Sequence, residues 1–415
     1  MAQDAGPYIY ADNAATTPLS PVALDAMMPY LTSEFGNPSG IHRVASTAAR
    51  ALADARERIA TLLGAARADE VYFTSGGSES DNWILRGAVQ RFRDIHGAHA
   101  TPRVIASAIE HHAILHCCEA LEREGVEITY LPVDECGRVQ PADLEQALTA
   151  NETAAHMESG ATALVSIMLA NNEVGTIQPI AKLASIAHAH GAPFHTDAVQ
   201  AVGHVPVSVA DLDVDALSLS AHKFHGPRGV GALYLREGFS IPPLIAGGAQ
   251  ERGERAGTEN LAGIAGMVAA LQQQVDSLNN EDEDPSLRIA SMRDQLIAHI
   301  CATCPGVHPT GDPSRRLPSI ASLTCDGVDG ELLVVLLDRA GVAAATGSAC
   351  STGSTAPSHV LTAMGINPLR AKGALRLSLA DNITLEDLDL LKERVPAAIK
   401  RARLMSGITG TCARV

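Results

Sequence analysis

Short apolar runs alternate with longer amphipathic stretches along most of this chain, and turn-forming residues punctuate them. Tyr8–Tyr10 reads as an extended entry, followed by a turn at Asp12-Asn-Ala-Ala-Thr-Thr-Pro18. Pro21–Leu31 predicts a helix, Glu34–His42 a loop of turn formers, and Ser46–Leu63 a helix stopped by Gly64. Strands are then expected at Val71–Thr74, Val104–Ser107, Glu127–Leu131, Ala163–Leu169, Pro193–Thr196, Ala216–Leu219 and Val230–Leu235. Helices fall between them, one starting near Ser78, then His111–Glu124, Pro141–Thr149 and Ile180–His190. Thr149–Ala161 is polar and aperiodic and reads as an exposed insertion.

Strands spaced by helices argue for an α/β fold with a mostly parallel sheet covered on both faces. Ligands in such sheets gather beyond the carboxyl ends of the strands. A helical pattern after Gly263 runs to about Leu278, where the acidic stretch Asn279–Ser286 breaks the chain. A second unit is expected beyond it. Its elements are a helix at Leu287–Cys301, strands near Ile320–Thr324 and Leu375–Leu379, and helices at Gly330–Ala340 and after Leu385. A length of 415 residues suits two packed units.

Composition narrows the partners. Hydrophobic residues make up 46% of the chain and aromatics only 3%, so Ala, Leu, Val and Ile must carry the packing. A net charge of −16 argues against nucleic acid or an anionic membrane surface as a main partner, though not against a local basic patch. No run of eighteen apolar residues predicts a membrane span, and Met1–Pro7 does not read as a signal peptide. Eight cysteines in this length do not make a disulfide scaffold, so a reducing cytoplasm is expected.

Candidate chemistry sits just after the expected strands. The chain has five lysines, and only Lys223 combines a strand end, a Gly-rich turn and hydrogen-bonding neighbours, Ser220 and His222. An amine so placed can condense with an aldehyde as a Schiff base, while its neighbours hold an anionic group of the same molecule. Val71-Tyr-Phe-Thr-Ser-Gly-Gly-Ser-Glu-Ser80 is a strand, a Gly turn and a helix start. It suits either an anion site or an ordinary cap by Ser78 or Ser80. Neither a dinucleotide fingerprint nor a Gly-Lys phosphate loop is present. Asp197 ends a strand and could keep a pyridinium protonated, or be a solvated strand-end carboxylate. His111 follows a strand and could stack on a flat cofactor or cap a helix. Asn171-Asn-Glu-Val-Gly175 offers amides or makes a turn. Ala343–Thr355 is rich in Gly, Ser and Thr, with one thiol, Cys350, at its middle, as suits a nucleophile that moves between two sites. Arg376, on a later strand, could hold a carboxylate by a bidentate pair. Cys301 and Cys304 have C-x-x-C spacing but no second pair for zinc, and Cys117 and Cys118 read as packed within a helix.

Six motifs occur in one order with characteristic gaps: Asp12-Asn-Ala-Ala-Thr-Thr-Pro18, Gly36-Asn-Pro-Ser39, Thr74-Ser-Gly-Gly-Ser-Glu-Ser80, Asn171-Asn-Glu-Val-Gly175, Ser220-Ala-His-Lys223 and Gly347-Ser-Ala-Cys350. The chain thereby resembles the cysteine desulfurases of the NifS/IscS type, in the class V branch of the fold-type I pyridoxal-phosphate enzymes. The resemblance implies a mostly parallel seven-stranded sheet in a large domain spanning 16–278. A smaller α+β domain would comprise 1–15 and 279–415. It implies that Lys223 binds the cofactor aldehyde, Asp197 the ring nitrogen, and His111 the ring face. Gln200 and Asn172 would meet the ring oxygen or the substrate. Gly77, Ser78, Ser220 and His222 would bind the phosphate, completed by Thr258 of a second subunit in a homodimer. Arg376 would anchor the carboxylate of L-cysteine, and Cys350 would take the sulfur as a persulfide for an iron–sulfur scaffold or other acceptor protein. No resident metal is required, although Cys350 could ligate a transferred iron–sulfur cluster.

Departures from the pattern bear on the acceptor. His225 stands where the housekeeping form often has tyrosine, and the tail Ser406–Val415 does not resemble a scaffold-docking tail. A nitrogenase-dedicated role fits as well as a general one. A class V aminotransferase, a selenocysteine lyase and a non-catalytic sulfur-assembly scaffold are the alternative readings.

Overall fold

The computed structural model describes residues 7–154, 162–280, 284–347 and 357–406. Its largest sheet has seven strands: β2 (Val71–Thr74), β3 (Arg103–Ser107), β4 (Glu127–Leu131), β5 (Thr162–Ser166), β6 (Phe194–Asp197), β7 (Ala216–Ser220) and β8 (Gly231–Leu235). They follow β1 (Ile9–Tyr10) in the chain. The spatial order is β2-β8-β7-β6-β5-β3-β4. All pairings are parallel except the two made by β8, which runs against both β2 and β7. Reversing direction twice restores β2 to the common sense, so β2, β3, β5, β6 and β7 all end on one edge. β6, β7 and β8 are buried at every position, as expected of strands covered on both faces.

Small residues let the covering helices approach. The helix Arg43–Leu63 turns Ala45, Ala48, Ala55, Ile59, Ala60 and Leu63 inward. It stops at Gly64, whose φ of 67° is left-handed and whose N–H returns to Ala60 and Thr61 carbonyls. The helices Pro21–Thr32 and Leu261–Leu278 pack together, with Gly266 at the crossing. A Cβ there would lie 2.7 Å from Met27 Cγ, so no larger residue fits without displacing Met27.

A second core gathers the chain's far end. β9 (Val307–Pro309), β10 (Ile320–Cys325) and β12 (Ala374–Ser378) form an antiparallel sheet. The helices Pro285–Thr303, Gly330–Arg339 and Leu385–Ser406 supply Leu296, Leu337, Leu391 and Ile399 to the same core. The N-terminal strand joins them, because Ile9 and Ala11 are buried here and β1 pairs in parallel with β11 (Val342–Ala343). Asn13 Nδ2 then donates to Ser378 O at 2.9 Å, and Ala14 N to Ser378 Oγ at 2.9 Å.

The hydrophobic pattern located the strands of the large sheet to within a few residues. The exposed insertion expected at Thr149–Ala161 needs correction, because the helix Pro141–Ala154 runs on through its first residues. Residues 155–161 lie outside the described residues. β9 and β11 are too short, at 3 and 2 residues, to leave a periodic signal.

One buried ion pair fixes the edge strand. Arg56 makes a two-pronged contact with Glu251, at 2.6 and 2.7 Å, and Glu251 also accepts from Phe73 N at 3.0 Å. Replacing Glu251 by Ala strands the buried guanidinium, so Glu251→Ala is expected to destabilise the chain by about 3–5 kcal/mol in urea unfolding. A loss below about 1 kcal/mol would assign the pair no structural weight.

Candidate active site

The common strand edge opens into a cleft of about 240 Å³. Ala14, Gly77, Ser78, Asp81, His111, Met168, Asn172, Asp197, Gln200, Ser220, His222, Lys223 and Arg376 line it. Every candidate named from the strand ends is therefore in one place. Thr258 is not among them; it is exposed in the single chain. Cys350 lies outside the described residues.

Lys223 sits in a single 3-10 turn, Ala221–Lys223, directly after β7. Its Nζ donates to Ala14 O at 2.6 Å and Ala15 O at 2.9 Å. Those carbonyls belong to the strip Asp12–Pro18, and Gln200 Nε2 also donates to Ala14 O, at 2.9 Å.

Asp197 ends β6 and is buried, not solvated. Its Oδ1 accepts from Val199 N at 2.9 Å. Burial raises its pKa to about 6, against the pull of the Val199 N–H and the Lys223 charge. A cationic ring nitrogen facing it would hold the carboxylate ionised. His111 caps the helix His112–Arg123 instead of beginning it, its Nδ1 accepting from Ala113 N at 3.2 Å. Burial and the charge of Lys223 pull the His111 imidazole down to about 4, so it is neutral and can lie flat against an aromatic ring. Capping and stacking are thus compatible roles.

At the other end of the cleft the helix Gly77–His96 begins, capped by Gly76 and not by Ser78 or Ser80. Ser80 instead bonds Thr74 Oγ1 at 2.9 Å inside the turn. The free N–H groups of this first turn, the Ser78 hydroxyl and Ser220 converge on the cleft, the donor set an anionic phosphate requires. A Cβ at Gly77 would sit 2.6 Å from Val199 Cγ2, so any other residue there would have to displace the Val199 side chain. His222 is held by Thr16 Oγ1 at 3.1 Å, and burial and Lys223 lower its pKa to about 4.

Arg376 enters from β12 and is 2% exposed. Its Nη2 bonds Asp12 Oδ1 at 2.7 Å and its Nη1 Asn172 O at 2.8 Å, while its buried Nε has no hydrogen-bond partner among the described residues. Asn171 is the turn former of its motif: its Oδ1 accepts from Glu173 N and Val174 N. Asn172 is thereby presented to the cleft. Glu173 meets both described ends of the segment that carries Cys350. A Cβ at Gly347 would lie 2.7 Å from Glu173 Oε2, and Ser358 Oγ donates to that oxygen at 2.5 Å.

Asp81 was missed from sequence. It is buried in the cleft wall, where Oδ1 accepts no hydrogen bond among the described residues and lies 3.9 Å from His195 Nε2. Burial and the neighbouring Asp197 push its carboxyl well above the ordinary range. The signal was available, because Asp81 follows Gly77 by one helical turn and so shares its face. His195 lies beneath, joined to Ser166 at 2.9 Å and Ser218 at 3.0 Å, and burial lowers it to about 3. His188 and His190 instead meet Asp215 and Glu145 elsewhere.

A family model described as Aminotransferase class-V matches residues 9–391. A curated relative from Methanosarcina thermophila, named Cysteine desulfurase IscS, is 46% identical over 401 residues, covering 97% of this chain and 94% of its own. The chain belongs to the cysteine desulfurases of the class-V aminotransferase family. Another relative, Cysteine desulfurase NifS from Azotobacter vinelandii, is 41% identical over 96% of this desulfurase and 94% of its own chain. A solved structure titled NIFS-LIKE PROTEIN superposes with a TM-score of 0.84 at 34% identity, covering 95% of this chain and all of that one. The family uses pyridoxal phosphate, and the cleft fits it: an amine, a buried carboxylate, a neutral imidazole and a phosphate cradle surround one space.

Removing the carboxylate charge should weaken the cofactor. Asp197→Asn is expected to lower affinity of the apoprotein for pyridoxal phosphate by about 10- to 100-fold, read by absorbance titration. Unchanged affinity would remove Asp197 from the ring-nitrogen role.

Proposed function

We propose that this desulfurase takes sulfur from L-cysteine through Lys223 and Cys350 and passes it to an acceptor protein for iron–sulfur cluster assembly. The observation that carries this reading is the convergence of Lys223, Asp197, His111, the helix start at Gly77–Ser78 and Arg376 on one cleft. Pyridoxal phosphate, when bound, draws electrons from the α-carbon of an amino acid and makes a sulfur on its β-carbon detachable. Lys223 then serves as the amine that holds the cofactor and as the base that moves the α-proton. Asp197 would hold the ring nitrogen and His111 would lie against the ring. Gln200 and Asn172 meet its oxygen or the substrate, and Gly77, Ser78, Ser220 and His222 hold the phosphate.

Arg376 binds the substrate carboxylate, and its unpartnered Nε is consistent with an anion to come. The Cys350 thiolate attacks the cysteine sulfur. The Cβ–S bond breaks, a new S–S bond forms, and protons return to carbon and sulfur, so L-cysteine and Cys350 thiol become alanine and Cys350 persulfide. Gly347 and Ser358, on either side of the segment that carries Cys350, both lie against Glu173, next to the cleft residue Asn172, which supports this assignment.

Thr258, exposed in the single chain, is assigned to the phosphate site of a second copy, which makes the working unit a homodimer. Exposed Leu31, Phe35 and Ile41 on the helix Pro21–Thr32 and the loop after it support a covered face there. The large domain is assigned to 16–278 and the smaller to 1–15 and 279–415. The low cysteine density and acidic charge favour a cytoplasmic setting. Among the described residues no helix is long and apolar enough to cross a membrane.

Mass spectrometry after mixing the protein with cysteine should find added sulfur on Cys350. Cys350→Ala should lose alanine release by at least about 100-fold while still binding the cofactor. Full alanine release by that variant would overturn the mechanism. Light scattering should return twice the 43.3 kDa chain mass, and a monomer would remove Thr258 from the site.

A further inference from the structure

His225 lies two residues beyond Lys223 with a left-handed backbone, φ 66°, unusual for a side chain with a Cβ. Three contacts hold it there. Its N–H donates to Thr17 Oγ1 at 2.8 Å, its carbonyl accepts from Ser20 N at 2.9 Å, and its Nδ1 lies 3.0 Å from Pro18 O. A carbonyl only accepts, so Nδ1 carries a proton. The other nitrogen, Nε2, lies 3.4 Å from Asp381 Oδ2. A carboxylate also only accepts, so satisfying both neighbours takes two protons on one ring. The geometry therefore calls for an imidazolium.

Asp381 follows β12 by three residues, and Arg376 is inside β12. The pair thus ties the strand of the proposed carboxylate anchor to the turn of the proposed cofactor lysine. A second histidine reinforces the turn, His204 Nε2 donating to Lys223 O at 2.8 Å. The groups facing His225 are Asp381, the Pro18 carbonyl and, through space, His204; Asp381 also faces His204 and Gln274.

We propose that His225 and Asp381 form a protonation-dependent latch that holds Arg376 in register with Lys223, so that cysteine binds less tightly once His225 is neutral. His225 and Asp381 are positioning residues. The proposal rests on the roles given above to Lys223 and Arg376.

The direction in pH follows from the two groups. Burial opposes the charge on His225, but the Asp381 bond and charge outweigh it and raise its pKa. Its contribution is complete below about pH 6.5 and fades as pH rises through the folded value. Burial likewise opposes the Asp381 charge, yet His225 and His204 leave its pKa lowered, so its contribution is present above about pH 4 and fades on acidification. The latch is closed between those limits and opens on the alkaline side.

The test uses holoenzyme and measures alanine release between pH 6 and 9 for wild type, Asp381→Asn and His225→Asn. Asparagine tolerates the left-handed backbone at 225. Substrate ionisation is common to all three proteins and cancels in ratios. At pH 6 the variants should have KM for cysteine about 3- to 10-fold above wild type, with kcat within about twofold. By pH 9 the ratio should approach 1. A KM ratio constant across pH, or a loss confined to kcat or to thermal stability, overturns the latch. Lys223→Ala with undiminished alanine release would instead overturn the reading of the site itself.

Discussion

The ammonium of Lys223 against the carbonyls of Ala14 and Ala15 is the contact on which the rest of the site depends. A lysine charge loses heavily when withdrawn from water unless dipoles replace the water. Here the dipoles come from a strip whose other contacts reach in the opposite direction. Asp12 bonds Arg376, Asn13 and Ala14 bond Ser378, and Thr17 bonds the backbone of the Lys223 turn. One short stretch therefore positions the amine from the large sheet against the guanidinium from the small one. These polar contacts act beside apolar burial, because Ala11 packs in the smaller core and Ala14 in the larger.

The same edge sorts charges by how they are satisfied. Asp197, Asp81 and Glu110 are buried carboxyls within one wall, and burial raises all three. Burial holds Glu110 at about 8, against the Ser107 Oγ and Met168 N bonds it accepts, so it is neutral near pH 7 and its contacts are structural. Asp197, at about 6, is the one also drawn down by Lys223 and so the one poised to ionise. Histidines are sorted in the converse sense. His111, His195 and His222 are lowered by burial, whereas His225, with its carboxylate partner, is raised. A cofactor needing one anion at the ring and one cradle of neutral donors at the phosphate meets both here.

Much of this was legible in the sequence because each site motif ends a strand, and strands announce themselves by apolar runs. Lys223, Asp197 and His111 could be named from that rule alone, and six motifs in order supplied their roles. Boundaries were less legible. Ala163–Leu169 reads as one apolar run, yet the strand stops at Ser166 because the chain leaves the sheet to put Met168 in the cleft. Thr149–Ala154 looked irregular because a polar helix end exposes no periodic face. Asp81 hid for a different reason: a polar residue one turn into a helix looks like surface until the cleft lies over it. The Ser358–Glu173 contact beside the Cys350 segment joins positions 185 apart, which no local pattern reveals.

The meeting of Asn13 with Ser378, 365 positions apart, bears on how the protein is made. The strip that seats the lysine leaves the ribosome well before its docking strand does. Until β12 emerges, Asp12, Asn13 and the Ala14 N–H lack their partners, whereas the Ala14–Pro18 carbonyls and hydroxyls can already meet Lys223, Gln200, His222 and His225 of the seven-stranded sheet. The amine can therefore be seated before the arginine that shares its strip has been made.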